Sequence, residues 1–347
     1  MPRELVAIAP RQPVIREYKE PRLGPDQVRI VSEFSAPKHG TEIGMYRDTS
    51  PLTARRYDDE MQLFREGENL PPRFPRPLGN MSIGAITEAG SAVKRFKAGD
   101  RVFGHLPIRE THTVSEDKVE KVPEGMSPES IVYWDPAEFA LGAVRDADVR
   151  LGERVAIFGL GAIGLMTVQM AKLSGAILVI AVDPIPLRRE LALKHGADIA
   201  FDPKAVDAGV EIKLATGKKG VDVAIEASGS YQALHEAIRS THLGGLVVPL
   251  AFYQGEAKGL RLGEEWHINR ITMRSSRSIS DPNRDHPMWD SERIKEVSFQ
   301  LLKEGRLSVE GLIRPVVKFE ESAEAYKLID EHPEEVIKLG VVYKRPV

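Results

Sequence analysis

The chain has 347 residues, 42% apolar and 29% charged, with 48 Lys and Arg against 51 Asp and Glu for a net charge of −3. That length suits about two domains with buried cores, and the balanced charge gives no basic stripe for nucleic acid and no polybasic segment for a membrane surface. Apolar runs such as 177–182 fall far short of the roughly 20 residues of a transmembrane helix. Met1-Pro-Arg-Glu does not open a signal peptide, so the expected location is the cytoplasm. There is no cysteine, which excludes disulfides, thiolate nucleophiles, iron–sulfur clusters and zinc sites built on Cys. The nine His show no ligand-like spacing, although a metal held by His with carboxylates stays open.

Short β-type runs come first, at 5–9, 14–18, 28–35, 83–88, 101–104 and 111–115. Turn signals such as Gly24-Pro25-Asp26 and Ala98-Gly99-Asp100 separate them, which describes a small antiparallel barrel or folded sheet. Between Gly44 and Gly79 lies a charged, Pro-rich stretch with one short helix expected around 57–65. Such a length inside a domain reads either as a functional, mobile loop or as a solvated excursion.

From about residue 150 the rhythm changes to alternating strands and helices: strand 154–158, helix 162–174, strand 177–183, helix 187–195, strand 221–227, helix 231–242, strand 246–251 and a sixth strand at 271–276. That alternation predicts a parallel α/β sheet. Beyond residue 285 the pattern gives a helix at 291–304, with Ile294, Val297, Leu301 and Leu302 on one face, extended chain at 312–319, a helix at 322–331 and a strand at 336–343. This last strand need not belong to the parallel sheet.

One motif carries specific chemistry. Gly159-Leu160-Gly161-Ala162-Ile163-Gly164 follows an apolar strand, opens an apolar helix and precedes Asp183 by about 20 residues. In a dinucleotide fingerprint the first glycine makes the turn, Gly161 lets the pyrophosphate approach the backbone, and Gly164 lets helix pack on strand. The helix N-terminus then stabilises the phosphates. Asp183 should accept from the adenosine ribose hydroxyls and repel a 2′-phosphate, favouring NAD over NADP. Arg188 and Arg189 stand where they could blunt that preference, or are plain helix-surface arginines.

Several segments together resemble the medium-chain dehydrogenase/reductase superfamily of zinc-type alcohol and polyol dehydrogenases, essentially end to end. They are His39-Gly40-Thr41-Glu42, Val93 to Val102, Leu151 to Gly164, Asp222-Val223-Ala224-Ile225-Glu226-Ala227-Ser228-Gly229, and Glu324-Ala325-Tyr326 to Lys338. The resemblance implies a GroES-like β-barrel catalytic domain from 1–145 and 286–347, a Rossmann doubly wound parallel sheet over 146–285, and homodimers or homotetramers. It also implies a catalytic zinc, and there the sequence departs from the pattern. His39 stands at a Cys position, Gly79-Asn80-Met81 replaces Gly-His-Glu, Asp135-Pro136 occupies the third ligand position, and the four-Cys structural zinc lobe is missing. His39 and Asp135 are too few for a catalytic zinc with three protein ligands, so no zinc is expected.

Without a Lewis acid, side chains must deprotonate the hydroxyl as hydride leaves. The candidates are His39 as general base or relay tuned by Asp135, Thr41 as the hydroxyl that passes the proton on, and Lys38 as an alternative base. Against these stand a structural role for His39 and a capping role for Asp135 on a helix starting near Pro136. Glu42 is expected to support the cleft electrostatically, Asn80 to bond a substrate hydroxyl and His267 to reach substrate, with Trp266 an interface anchor. Ser228 and Gly229 should meet the nicotinamide ribose, and Ser275 and Ser276 the carboxamide side. The resemblance implies a zinc-independent, NAD-dependent dehydrogenase that oxidises a secondary hydroxyl to a ketone, and Lys38, His39, Asn80 and Asp135, with Arg55 and Arg56 on the long loop, point to a polyol, cyclitol or sugar as its substrate. The competing readings are a zinc-free NAD(P)H-dependent reductase of activated alkenes or quinones, and a nucleotide-binding protein without turnover.

Overall fold

The computed structural model describes residues 1–53, 55–66, 73–277 and 281–344. They form two compact units, one from Met1–Val132 with Ile313–Val347 and the other Tyr133–Leu312. The first opens with β1 (Arg3–Ala9) and β2 (Gln12–Glu17), an antiparallel pair turned at Arg11 with φ 60°. Strand β3 (Gln27–Ser35) buries Val28, Ile30, Ser32 and Phe34 alternately before Ser35, also buried, ends it, the period-2 signature of one face turned to a core. Helix α1 (His39–Tyr46) follows.

The segment expected to be a short helix at 57–65 is instead a hairpin, β4 (Arg55–Asp58) paired with β5 (Leu63–Glu66). The reason is local. Asp58 accepts from the Met61 N–H at 2.9 Å, Gln62 adopts φ 53°, and Tyr57 meets Phe64 edge-on across the strands at 5.2 Å. A turn with a cross-strand aromatic pair outweighs a weak helical pattern. Strands β6 (Arg76–Pro77), β7 (Ser82–Ala89), β8 (Arg101–Gly104), β9 (Thr111–Ser115) and β10 (Glu120–Lys121) complete this part, and α2 (Pro128–Ile131) ends it with Ser127 as N-cap.

The second unit begins with α3 (Trp134–Asp146), then β11 (Arg154–Phe158), α4 (Ala162–Leu173), β12 (Leu178–Val182), α5 (Pro186–Lys194) and β13 (Ile199–Phe201). It continues through α6 (Ala208–Ala215), β14 (Val221–Glu226), α7 (Tyr231–Ser240), β15 (Thr241–Pro249), α8 (Glu265–Ile268), β16 (Thr272–Met273) and α9 (Ser291–Lys303). The strands are parallel in the order β13-β12-β11-β14-β15-β16. Ala156, Ile157, Val179, Ile180, Ala181 and Ala224 are fully buried, as strands covered on both faces require. The chain runs outward from β11 to β13 and starts again at β14, so the direction reverses between β11 and β14, where open α/β sheets bind ligands.

The chain then returns to the first unit through β17 (Val316–Lys318), α10 (Ser322–Glu331) and β18 (Gly340–Val342). Strand β18 lies antiparallel to β3 and parallel to β17, so the final strand belongs outside the parallel sheet. The unit boundaries differ from the expected 145/146 and 285/286. Helix α3 packs on α4 and α9, with Trp134 stacked on Phe299 at 5.6 Å and the Tyr133 hydroxyl donating to Leu312 O at 2.7 Å. The sixth parallel strand is shorter than the expected 271–276, and no helix among the described residues is long and apolar enough to cross a membrane.

Candidate active site

In the second unit the glycine motif is built by steric demand. Gly159 has φ 86°, and a Cβ there would lie 2.6 Å from the Ser228 backbone nitrogen. A Cβ on Gly164 would sit 1.9 Å from the Gly159 carbonyl oxygen, whereas one on Gly161 would meet nothing within 4 Å. Two glycines therefore permit the turn and the close packing, and the middle one leaves open ground over the start of α4. Gly161 is the N-cap of that helix and offers no side-chain cap, so the N–H groups of Ala162, Ile163 and Gly164 stay available to an anion.

Asp183, at the end of β12, is 3% exposed. Its Oδ2 accepts from the Leu160 N–H and its Oδ1 from the Ile185 N–H, both at 2.8 Å, and Arg188 stands 3.8 Å from Oδ2. Arg189 is drawn away to the Asp183 carbonyl and Asp202. A cavity of about 400 Å³ is lined by Gly159, Asp183, Arg188, Ser228 and Ser230, among others. The crevice at the sheet's reversal point thus has the donors, the carboxylate and the room for a dinucleotide.

Sequence reasoning missed Glu226. Fully buried at the end of β14, its carboxylate accepts from the Ser228 N–H at 2.7 Å and the Gly229 N–H at 3.1 Å, and from the Ser228 and Tyr253 hydroxyls. Burial pushes its pKa up, against the pull of these donors. It fixes the turn that carries Ser228 and Gly229. The available signal was an acidic residue closing an otherwise apolar strand. Past β16, Ser276 is buried and its N–H bonds the Pro249 carbonyl at 3.1 Å, while Ser275 is exposed. His267 is exposed on α8 and does not line the cavity. Asp135 lies buried in the first turn of α3, which starts at Trp134 with Tyr133 as N-cap rather than near Pro136.

In the first unit, the Pro37-Lys38-His39 turn is held from the far end of the chain. Lys338, 1% exposed, donates from Nζ to the Pro37 carbonyl at 3.0 Å, and the Leu339 N–H donates to His39 Nε2 at 3.1 Å. A backbone N–H only donates, so Nε2 accepts and the proton of a neutral ring stands on Nδ1. One turn further on α1, Glu42 accepts from the Tyr326 hydroxyl at 3.2 Å, and Tyr326 packs edge-on against Tyr46. Burial pushes the Glu42 carboxyl up to about 7, opposed by the Tyr326 hydroxyl, Lys338, the Gly79 N–H and Arg76. Thr41 lies part-buried in the first turn of α1, and Arg55 and Arg56 are exposed on β4.

At the positions where the resemblance places zinc ligands, the side chains are held as follows. His39 Nε2 is engaged by Leu339, the Asn80 side-chain oxygen accepts from the Lys38 N–H at 2.8 Å, and Met81 is buried in the core. Among the described residues, the groups of three His or carboxylate side chains close enough to share a cation are His235 with Glu264 and Glu265, and His332 with Glu334 and Glu335. Neither includes His39. The Asn80 side-chain oxygen thus braces the segment before α1, and its NH2 group is left for a substrate hydroxyl.

Residues 162–292 match the family model described as zinc-binding dehydrogenase. The chain is 43% identical to D-guloside 3-dehydrogenase of Escherichia coli (strain K12), covering 98% of this chain and 100% of that protein. It is 30% identical to (R,R)-butanediol dehydrogenase of Bacillus subtilis (strain 168), over 69% and 72% of the two chains. The crystal structure of 2R,3R-butanediol dehydrogenase from Bacillus subtilis superposes with a TM-score of 0.77, at 24% identity and 99% coverage of both, which bears on the fold alone.

Proposed function

Since the chain belongs to the zinc-binding dehydrogenase family of the medium-chain dehydrogenase/reductase superfamily, we propose that it oxidises a ring secondary hydroxyl of a sugar or glycoside to a ketone, with NAD as hydride acceptor and no catalytic zinc. Its class, an oxidoreductase acting on CH–OH groups, follows from that membership. The observation that carries the substrate class is the 43% identity to D-guloside 3-dehydrogenase along the whole of both chains. The preference for NAD rests on the Asp183 carboxylate at the end of β12, whose charge would repel a 2′-phosphate.

The nicotinamide, when bound, accepts the hydride. The chain's own residues supply the rest. The α4 N-terminus and Gly161 hold the pyrophosphate, Asp183 the adenosine ribose, and the Ser228-Gly229 turn braced by Glu226 the nicotinamide ribose. Loss of the hydroxyl proton falls to the Lys38-His39-Thr41 segment. Because Leu339 engages Nε2, His39 acts in this reading as a donor through Nδ1 that orients and relays. Lys38 is the alternative base.

The test is product analysis. Methyl D-hexopyranosides with a free 3-hydroxyl should give reduced NAD and a ketone that carbon NMR places at C3, while their 3-deoxy counterparts give none. A ketone at another carbon would refute the position, and oxidation of simple alcohols in preference to glycosides would refute the substrate class.

A further inference from the structure

On the second unit, beside but not lining the crevice cavity, three side chains converge that the reaction does not use. His235 on α7 is 2% exposed, and neither ring nitrogen has a hydrogen-bond partner. Its Nε2 points at Glu264 Oε2, 3.7 Å away, too far for a hydrogen bond. Glu265 opens α8 with its Oε2 buried and also without a partner. One ligand atom from each of the three lies within 4.8 Å of the others, and none of the three lines the cavity.

We propose that His235, Glu264 and Glu265 bind one divalent transition-metal cation of the zinc class, which clamps α8 onto α7. In a neutral imidazole one nitrogen carries the proton and the other a lone pair. A buried lone pair facing two carboxylates is repulsive unless something positive stands between them. At 3.7 Å a proton on Nε2 would gain no hydrogen bond to Glu264. Tetrahedral ligands at 2.0–2.1 Å stand about 3.4 Å apart, so His235 and Glu264 are already near that spacing, and the partly exposed Glu264 and Glu265 side chains can swing to close the rest.

One imidazole with two carboxylates suits zinc and its neighbours better than magnesium or calcium, which take oxygen ligands. The nearby cations complete the picture. Arg261 donates to Glu264 Oε2 at 2.7 Å and keeps that carboxylate anionic, while Arg239 lies 3.6 Å from Glu265 but is tied to Asp207 and Glu236. By contrast, His332, Glu334 and Glu335 are all exposed, so no buried unpaired group marks that cluster.

The test uses the full chain stripped with a chelator and titrated with Zn²⁺ by calorimetry and with Co²⁺ by visible absorption. Wild type and His39→Ala should each take up one ion per chain, with tetrahedral Co²⁺ bands. The double variant Glu264→Gln/Glu265→Gln, whose altered side chains are partly exposed, should bind at least roughly a hundredfold more weakly. Zn²⁺ at a hundredfold excess over Kd should raise the wild-type unfolding midpoint by roughly 5–10 °C and leave the double variant unmoved. Absence of binding, binding undiminished in the double variant, or binding lost in His39→Ala would each overturn the proposal.

Discussion

Replacing Glu42 with Gln isolates the electrostatics beneath α1. Gln keeps the shape and an acceptor for the Tyr326 hydroxyl, but it does not titrate. In the wild type, burial raises the carboxyl from 4.5 to about 7, so in that interval the folded chain holds a proton that the unfolded chain releases. Stability present below pH 4.5 is therefore lost as pH rises toward 7. A carboxyl displaced that far forfeits about 3 kcal/mol across the interval, a ceiling because Glu42 keeps some exposure and water screens it. Urea unfolding of both proteins through the interval is the assay. The two should be equally stable at pH 4.5 and diverge as pH rises, with Glu42→Gln the more stable above 7. Curves that run parallel across the interval would refute the assignment of a strained, buried carboxyl to Glu42.

Other outcomes follow from the same geometry. Gly164→Ala drives a Cβ to within 1.9 Å of the Gly159 carbonyl, so calorimetry should show NAD affinity falling at least about tenfold and stability about 1–3 kcal/mol. Asp183→Asn leaves one of the Leu160 and Ile185 N–H groups without its acceptor and removes the charge that repels a 2′-phosphate. The NAD-to-NADP ratio of kcat/KM should fall at least about tenfold, and an unchanged ratio would contradict the ribose role. His39→Ala should lower kcat by about 10²–10⁴ with NAD affinity unchanged, and turnover within a few-fold of wild type would remove His39 from the proton path. Lys338→Met strips the Pro37 carbonyl of its donor and should cost about 1–3 kcal/mol in unfolding free energy.

The sequence reveals most where local chemistry is decisive. The glycine turn and its crevice are legible because Gly159 and Gly164 are demanded by sterics and Asp183 stands at a fixed distance along the chain. The parallel sheet is legible because its strands are apolar throughout, and the later helices because their apolar faces repeat. What the sequence hides depends on residues far apart along the chain. Nothing near His39 announces that Leu339 will take its Nε2, or that Lys338 will reach Pro37, because those contacts exist only once β18 returns to β3. Nothing near Asn80 announces that its oxygen will brace Lys38. The 57–65 segment reads as helix because charged and apolar residues fall at helical intervals, and only the Tyr57–Phe64 pairing reveals a hairpin. Glu226 escapes notice because one acidic residue at a strand end looks like a boundary, whereas four donors converge on it.

The central claim is hydroxyl oxidation by this chain's own side chains and NAD, without a metal at the reacting centre. The direct measurement is reduced-nicotinamide formation by chelator-treated protein whose residual metal has been assayed, supplied with NAD or NADP and a panel of glycosides, sugars and polyols. The account predicts turnover of glycosides with NAD at full rate without metal, because His39 Nε2 accepts from the Leu339 N–H and Asn80 stands where the family's ligand His is expected. Activity that appears only on adding metal, and that survives loss of Glu264 and Glu265, would contradict it.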